Sequence, residues 1–252
     1  MLGLGTGFYK IGGDVYLGGL APPTKSMSFD GTNDSIAFTE TQFDIEDDGD
    51  LLSIAFWAKR TDNNDIATVL GNSAGGSKRI VFFDADGDLL TITADKSSGQ
   101  HADAPVTADT NWHHYAITMS GVSGNVAVTA MYEDGDAITV DNTNLGAANN
   151  FDLTLNRIGT DNATDGSREF KGLLYQIAIW DAVLDAAAVA AIYNGGDPIS
   201  LQLDSGNYDN SDDLIHLWKF DEGSGSSTAD TIGSLDGTIT NATFSSTIPS
   251  AG

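Results

Sequence analysis

Short apolar runs that alternate residue by residue, each closed by a glycine or acidic turn, constrain this chain more than any other feature. Leu52, Ile54, Phe56 and Ala58 alternate with Ser53, Ala55, Trp57 and Lys59, the two-residue period of a strand with two distinct faces. Ser26–Phe29 and Ser35–Thr39 flank the turn Asp30-Gly31-Thr32-Asn33-Asp34, and Ile66–Leu70 follows. Arg79–Phe83 and Leu89–Thr93 surround Asp86-Gly87, a hairpin signal. Trp112–Met119 and Val126–Tyr132 are expected to pair. Leu153–Ile158, Phe170–Trp180, Leu214–Phe220 and Thr238–Phe244 complete the run. One segment, Ala186–Tyr193, reads as helix, with Asp181 or Asp185 to cap its start and Gly195 just past its end. Leu184, Ala188 and Ile192 share one of its faces, and a helix this short must pack on a sheet. The pattern predicts an all-β, two-sheet antiparallel sandwich with one short helix.

Charge removes several function classes. Lys and Arg total 11 against 36 Asp and Glu, a net charge of −25. Such a surface repels phosphate backbones and anionic bilayers, so neither nucleic acid nor a membrane is expected as a partner. It suits solubility at high ionic strength, and its carboxylates are the oxygens that calcium takes. The chain has no cysteine, which excludes disulfides, thiolate catalysis and Cys-based zinc sites. No stretch reaches the ~18 apolar residues of a membrane helix, and the opening residues lack the pattern of a secretory leader.

Residues 1–24 read as an extended, glycine-rich arm separate from a body at 25–252. Leu2, Leu4, Phe8, Tyr9 and Ile11 alternate with glycines, too glycine-rich for a helix and too apolar for a free linker. These five are the candidate partner-binding residues, on the body itself, on a partner or on a second copy. Pro22-Pro23 is expected to stiffen the exit from the arm.

Five segments in order carry a resemblance. Ser26–Ile36 resembles the opening strand and turn of laminin-G-like domains, the broad family that includes pentraxins and concanavalin-A-like lectins. Ser53–Lys59 resembles the second strand and Trp112-His113-His114-Tyr115 the Trp-His strand start. Arg157-Ile158-Gly159 with Phe170-Lys171-Gly172, then Ile177–Leu184, resemble the closing strand and helix. The resemblance spans about residues 26–196 and implies a jelly roll. Residues 212–246, with Leu217–Gly225 and Leu235-Asp236-Gly237-Thr238, resemble the segment that normally comes first, which implies circular permutation. The alternative is the start of a truncated repeat completed by another chain. The permuted tail and the Met-Leu-Gly-Leu-Gly start are similar to virion proteins of tailed bacteriophages. That likeness implies a decoration, fibre or tail-attached component that contacts other virion proteins or copies of itself. A virion sandwich of this kind could also adhere to host surface polysaccharide. A calcium-dependent carbohydrate-binding module of a bacterial surface or secreted protein is the alternative.

No catalytic residue is expected. The Glu-x-Asp-x-x-Glu strand of sandwich glucanases is missing, as is a Gly-x-Ser-x-Gly elbow. His113 and His114 are adjacent on a strand and must point to opposite faces. By resemblance to pentraxins, Asp62 and Asn63 match one calcium-binding pair, and Asp161 and Asn162 stand where the second segment has Glu and Gln. Ala163 replaces a further Asp. Asp30, Asn33 and Asp34 could hold a single structural calcium at the opening turn.

Overall fold

A computed structural model describes residues 8–11, 14–17, 21–43, 45, 49–61, 66–73, 78–84, 86, 88–93, 101–122, 125–141, 144–147, 153–161 and 168–251. Within them the strands are, in chain order, β1 (Phe8–Ile11), β2 (Asp14–Leu17), β3 (Ser26–Asp30), β4 (Ser35–Phe43), β5 (Leu51–Arg60), β6 (Ala67–Asn72), β7 (Lys78–Phe83), β8 (Leu89–Thr93), β9 (His101–Pro105), β10 (Trp112–Val122), β11 (Asn125–Glu133), β12 (Asp136–Ile138), β13 (Asn144–Ala147), β14 (Leu153–Ile158), β15 (Lys171–Trp180), β16 (Leu214–Trp218), β17 (Ser227–Thr228), β18 (Gly237–Thr240) and β19 (Thr243–Ser245). The helix α1 is Ala186–Tyr193.

Two antiparallel sheets form the sandwich. A nine-stranded sheet runs β12-β11-β10-β5-β15-β3-β19, with β13 sharing an edge of β11 and β16 an edge of β15. An eight-stranded sheet runs β17-β18-β4-β14-β6-β7-β8-β9. The alternation read in 51–59 sets the layers. Leu52, Ile54, Phe56 and Ala58 enter the main core between the sheets, where Phe56, Phe83 and Tyr115 meet ring to ring. Ala55 faces outward with Ala116, Ala178 and Trp180, and α1 with residues 199–214 covers that face as a second apolar layer. Asp185 caps α1 by accepting from the Ala188 N–H, and Ala188, Val189 and Ile192 are buried. Asn194, with φ 48°, closes the helix in the left-handed conformation one residue before the glycine expected there.

The structure divides two stretches that the sequence reads as simple turns or strands. β3 and β4, either side of the Asp30–Asp34 turn, belong to opposite sheets. Thr238–Phe244 is not one strand. It breaks at Asn241, φ 61°, so that β18 joins β4 in one sheet and β19 joins β3 in the other. The two corners face each other, and the Asn241 side chain donates to Asn33 O at 3.2 Å and Asn33 Oδ1 at 2.9 Å. The tail therefore pairs with its own chain at three places: β16 on β15, β18 on β4 and β19 on β3.

The arm departs from a single extended strap. β1 and β2 fold back on each other, Phe8 opposite Leu17 and Ile11 opposite Asp14, as a separate two-stranded sheet. Leu2 and Leu4 lie outside the described residues. Pro22 and Pro23 are buried on the body instead of standing off it. Tyr175 donates to Pro23 O at 2.9 Å, Lys219 to Ala21 O at 3.2 Å, and Thr24 to Asp221 through both its N–H and its hydroxyl at 2.8 Å.

Candidate ligand site

One end of the sandwich gathers the segments singled out in the sequence. Lys171, which opens β15, lies opposite Asp30, which closes β3. Thr61, just past the end of β5, donates from its N–H to Lys171 O at 3.1 Å. Gly159, two residues before Asp161, packs on the Phe29 ring so closely that a Cβ would sit 2.3 Å from it, and its φ of +85° also favours glycine. Phe170 meets Phe29 edge to face at 6.0 Å. Asp30, Thr61 and Asp161 thus lie around one aromatic node.

The carboxylates there have local tasks. Asp34 is buried and accepts the Asp30 N–H at 2.7 Å, while Asp30 accepts the Thr32 N–H at 2.8 Å. Burial pushes the Asp34 carboxyl above its ordinary range, against the pull of the Asp30 N–H. Gly31, φ +77°, takes the turn where a Cβ would meet the Lys171 stem at 2.8 Å. Asp161 is fully buried and lies 3.1 Å from Arg168 Nη1. Asp62, Asn63 and Asn162 lie outside the described residues. Among the described residues no three Asp, Glu or His side chains stand close enough to hold a metal ion, so Asp30, Asp34 and Asp161 assemble no calcium shell on their own.

A second polar cluster occupies the same end. His113 Nδ1 lies 2.7 Å from Asp134 and Nε2 lies 3.0 Å from Asp109. The Asp134 hydrogen bond, with help from Asp109 and against the cost of burial, raises its pKa to about 9. Both ring nitrogens thus face carboxylates, an arrangement that favours the doubly protonated imidazole. Glu133 accepts the Thr107 N–H at 2.8 Å, and Arg60 donates to Thr107 O at 3.0 Å. His114 points the other way, as strand alternation requires, and lies between Trp57 and Tyr193 beneath α1. Burial lowers its pKa to about 4, so it is a neutral packing group.

The outer face of the eight-stranded sheet carries a feature that sequence reasoning missed. Arg157 on β14 and Arg79 on β7 are both register partners of Gly71 on β6. Cross-strand partners point to one face, so two guanidinium stems flank a position with no side chain, their backbones about 10 Å apart at the usual strand spacing. Arg79 lies over the Phe82 ring, 4.5 Å from its centroid. Burial lowers the Arg79 pKa, Arg168 adds to that, and Asp161 opposes it, which places all three within electrostatic reach. Arg157 donates to its neighbour's carbonyl, Asn156 O, at 3.1 Å, and its buried Nε has no partner. Among the described residues, no hydrogen bond or ion pair joins Arg79 or Arg157 to a carboxylate, although Asp161 acts on Arg79 at longer range. Only their partnership across Gly71 makes them neighbours, and nothing in the linear pattern announces that.

Two solved structures share the architecture. A protein from Bacteroides ovatus, classed provisionally as carbohydrate binding, superposes with a TM-score of 0.62 at 17% identity over 90% of this chain. This chain spans 61% of that protein's length. A heptameric SAP-like pentraxin from Limulus polyphemus superposes with a TM-score of 0.52 at 14% identity, covering 91% of this chain and 93% of the pentraxin. No curated protein matches the chain in sequence. Residues 30–190 match the laminin-G profile described as the concanavalin A-like lectin/glucanases superfamily, and that span covers the opening turn, both sheets' central strands and the start of α1. The chain belongs to the concanavalin A-like lectin/glucanases superfamily.

Proposed function

We propose that this domain is a glycan-binding module that works outside the cell or at a bacterial surface. The observation that carries this reading is the lectin-type sandwich itself: a superfamily match over residues 30–190 and a superposition, over 90% of the chain, on a protein classed provisionally as carbohydrate binding. The side chains support binding over turnover. The glucanase carboxylate motif is missing from the sequence, and His113 has both ring nitrogens engaged by Asp134 and Asp109.

Calcium belongs to this proposal as a loop-ordering ion. Asp62, Asn63, Asp161 and Asn162 are the ligands offered by the two pentraxin-like segments, and Asp30, Asn33 and Asp34 those of a separate single site at the opening turn, carboxylate and amide oxygens of the kind calcium takes. A glycan array with and without a chelator tests both parts. Binding that chelator abolishes supports module and metal together. Binding that chelator leaves unchanged supports the module and removes the metal. No binding in either condition overturns the reading. A virion role is a separate proposal about the arm, and it rests on the resemblance of the tail and the glycine-rich start to phage proteins.

A further inference from the structure

The cover over the outer face of the nine-stranded sheet stops short of one end. Trp57 and His114, register partners on β5 and β10, lie under Tyr193 of α1, with ring centroids 5.6 and 6.3 Å from it. Tyr175, the partner of Trp57 on β15, donates to Pro23 O at 2.9 Å. One step outward along the strands the same face is open. Trp112, Lys59, Leu173, Ser28 and Thr243 are successive register partners on β10, β5, β15, β3 and β19, so their side chains share that face. Thr243 is exposed and the other four are partly exposed. Four strand spacings make the row about 19 Å long.

The row carries one aromatic platform and separate polar donors. Of the four tryptophans, Trp57, Trp180 and Trp218 are at most 2% exposed, and only Trp112 reaches the surface. Its Nε1 is buried and has no partner, so the side-chain surface it offers is carbon. The Tyr175 ring, its centroid 6.3 Å away and inclined at 71°, supports the indole from the covered side. Lys59, directly across from Trp112, donates to Thr110 O at 2.8 Å, which keeps its ammonium at the Trp112 end of the row. That bond uses one of three ammonium donors, and among the described residues no carboxylate pairs with it. The hydroxyls of Ser28 and Thr243 make no hydrogen bond among the described residues.

A pyranose ring has a face lined by C–H groups and a rim of hydroxyls. The C–H face buries apolar area against an aromatic ring, and the rim takes hydrogen bonds from hydroxyl and ammonium donors. Resting on the glycan-binding reading above, we infer that this row is the sugar-binding surface and that its ligand is a chain of neutral pyranose residues, one stacked on Trp112 beside Lys59 and others reaching toward Ser28 and Thr243. Charge favours the neutral class. The Lys59 ammonium stands in a molecule of net charge −25, and exposed Asp30 lies opposite Lys171 in the next row, a field that repels a polyanion.

Isothermal titration of the full-length protein with laminarin, xyloglucan, galactomannan and any neutral glycan that the array identifies, with alginate as the acidic comparison, tests the assignment. At least one neutral glycan should bind. Trp112→Ala should weaken that binding about tenfold or more, and Lys59→Met, which keeps the stem and removes the ammonium, about threefold. Wild-type affinity in either folded variant overturns the inference. Should Trp112→Ala not fold, fluorescence of the wild type decides. The other three tryptophans are buried, so acrylamide quenching reports on Trp112, and saturating glycan must reduce it. Unchanged quenching overturns the inference. Binding to alginate or other acidic glycans alone overturns this inference and leaves the glycan-binding reading standing, whereas binding to no glycan overturns both.

Discussion

At the scale of single residues, two charged side chains link stability to pH in opposite directions. His113 gains affinity for its proton on folding, from the ordinary 6.5 to about 9, through Asp134 and Asp109. A raised pKa gives stability that is complete below pH 6.5 and is lost as pH rises through about 9. His113→Gln should therefore cost on the order of 3 kcal/mol at pH 6, and the two proteins should converge by pH 10. Chemical denaturation across that range measures the difference. Asp230 behaves in the reverse sense. Burial would raise its pKa, but His216 at 2.6 Å and the N–H groups of Leu217, Leu235 and Gly233 outweigh that and hold it well below the usual carboxylate range. Its contribution is present above about pH 4 and is lost as pH falls toward the depressed value. Asp230→Asn should be markedly less stable than wild type at pH 7 and should show a shallower loss of melting temperature between pH 5 and pH 2.

At the scale of elements, the helix and the two corners show how local chemistry is used by the fold. α1 has only eight residues, too few to persist alone, so its cap matters only because Leu184, Val189 and Ile192 bury against the outer face of the nine-stranded sheet. Asp185→Ala removes the acceptor for the Ala188 N–H and should cost about 1 kcal/mol, read as a lower denaturant midpoint with an unchanged slope. The corners at 30–34 and at Asn241 work as a pair. Each lets one continuous stretch of chain leave one sheet for the other, and the Asn241–Asn33 hydrogen bonds tie them together. An alternating run such as 238–244 does not encode that crossing in its hydrophobic pattern. Its only local cue is an asparagine, which tolerates the left-handed conformation.

At the scale of the whole molecule, the two termini contribute unequally. The hairpin at 8–17 pairs only with itself in the described sheets, whereas residues 21–24 are bonded to the body. Removing residues 1–20 should leave the melting temperature within about 2 °C of wild type, a change of a few tenths of a kcal/mol; a virion role for the arm then requires that the truncated protein fail to enter particles. Removing residues 212–252 should abolish folding. Trp218 and Phe220 leave the main core with them, β15 loses β16, β4 loses β18 and β3 loses β19. Circular dichroism of the two truncations separates these outcomes. The superfamily match ends at residue 190, yet the sandwich needs the 62 residues beyond it.

The sequence by itself determined the class of the fold. Period-2 runs, glycine and aspartate turns and one alanine-rich segment are local signals, and β5, β7, β8, β10, β11, β14 and α1 formed where those signals stood. It also determined that His113 and His114 diverge, because adjacent strand residues must. Weaker strands were not legible: β9, His-Ala-Asp-Ala-Pro, buries only Ala102 and Ala104, too little apolar surface to mark a core strand. Only the tertiary structure decided which sheet each strand joins, because both sheets accept the same alternation and strand pairing depends on register between distant segments. That register placed Arg157 and Arg79 on either side of Gly71. The three are 78 and 8 positions apart in the chain (79 and 157; 71 and 79), and no local rule relates them, so their placement came from pairing geometry and not from any motif.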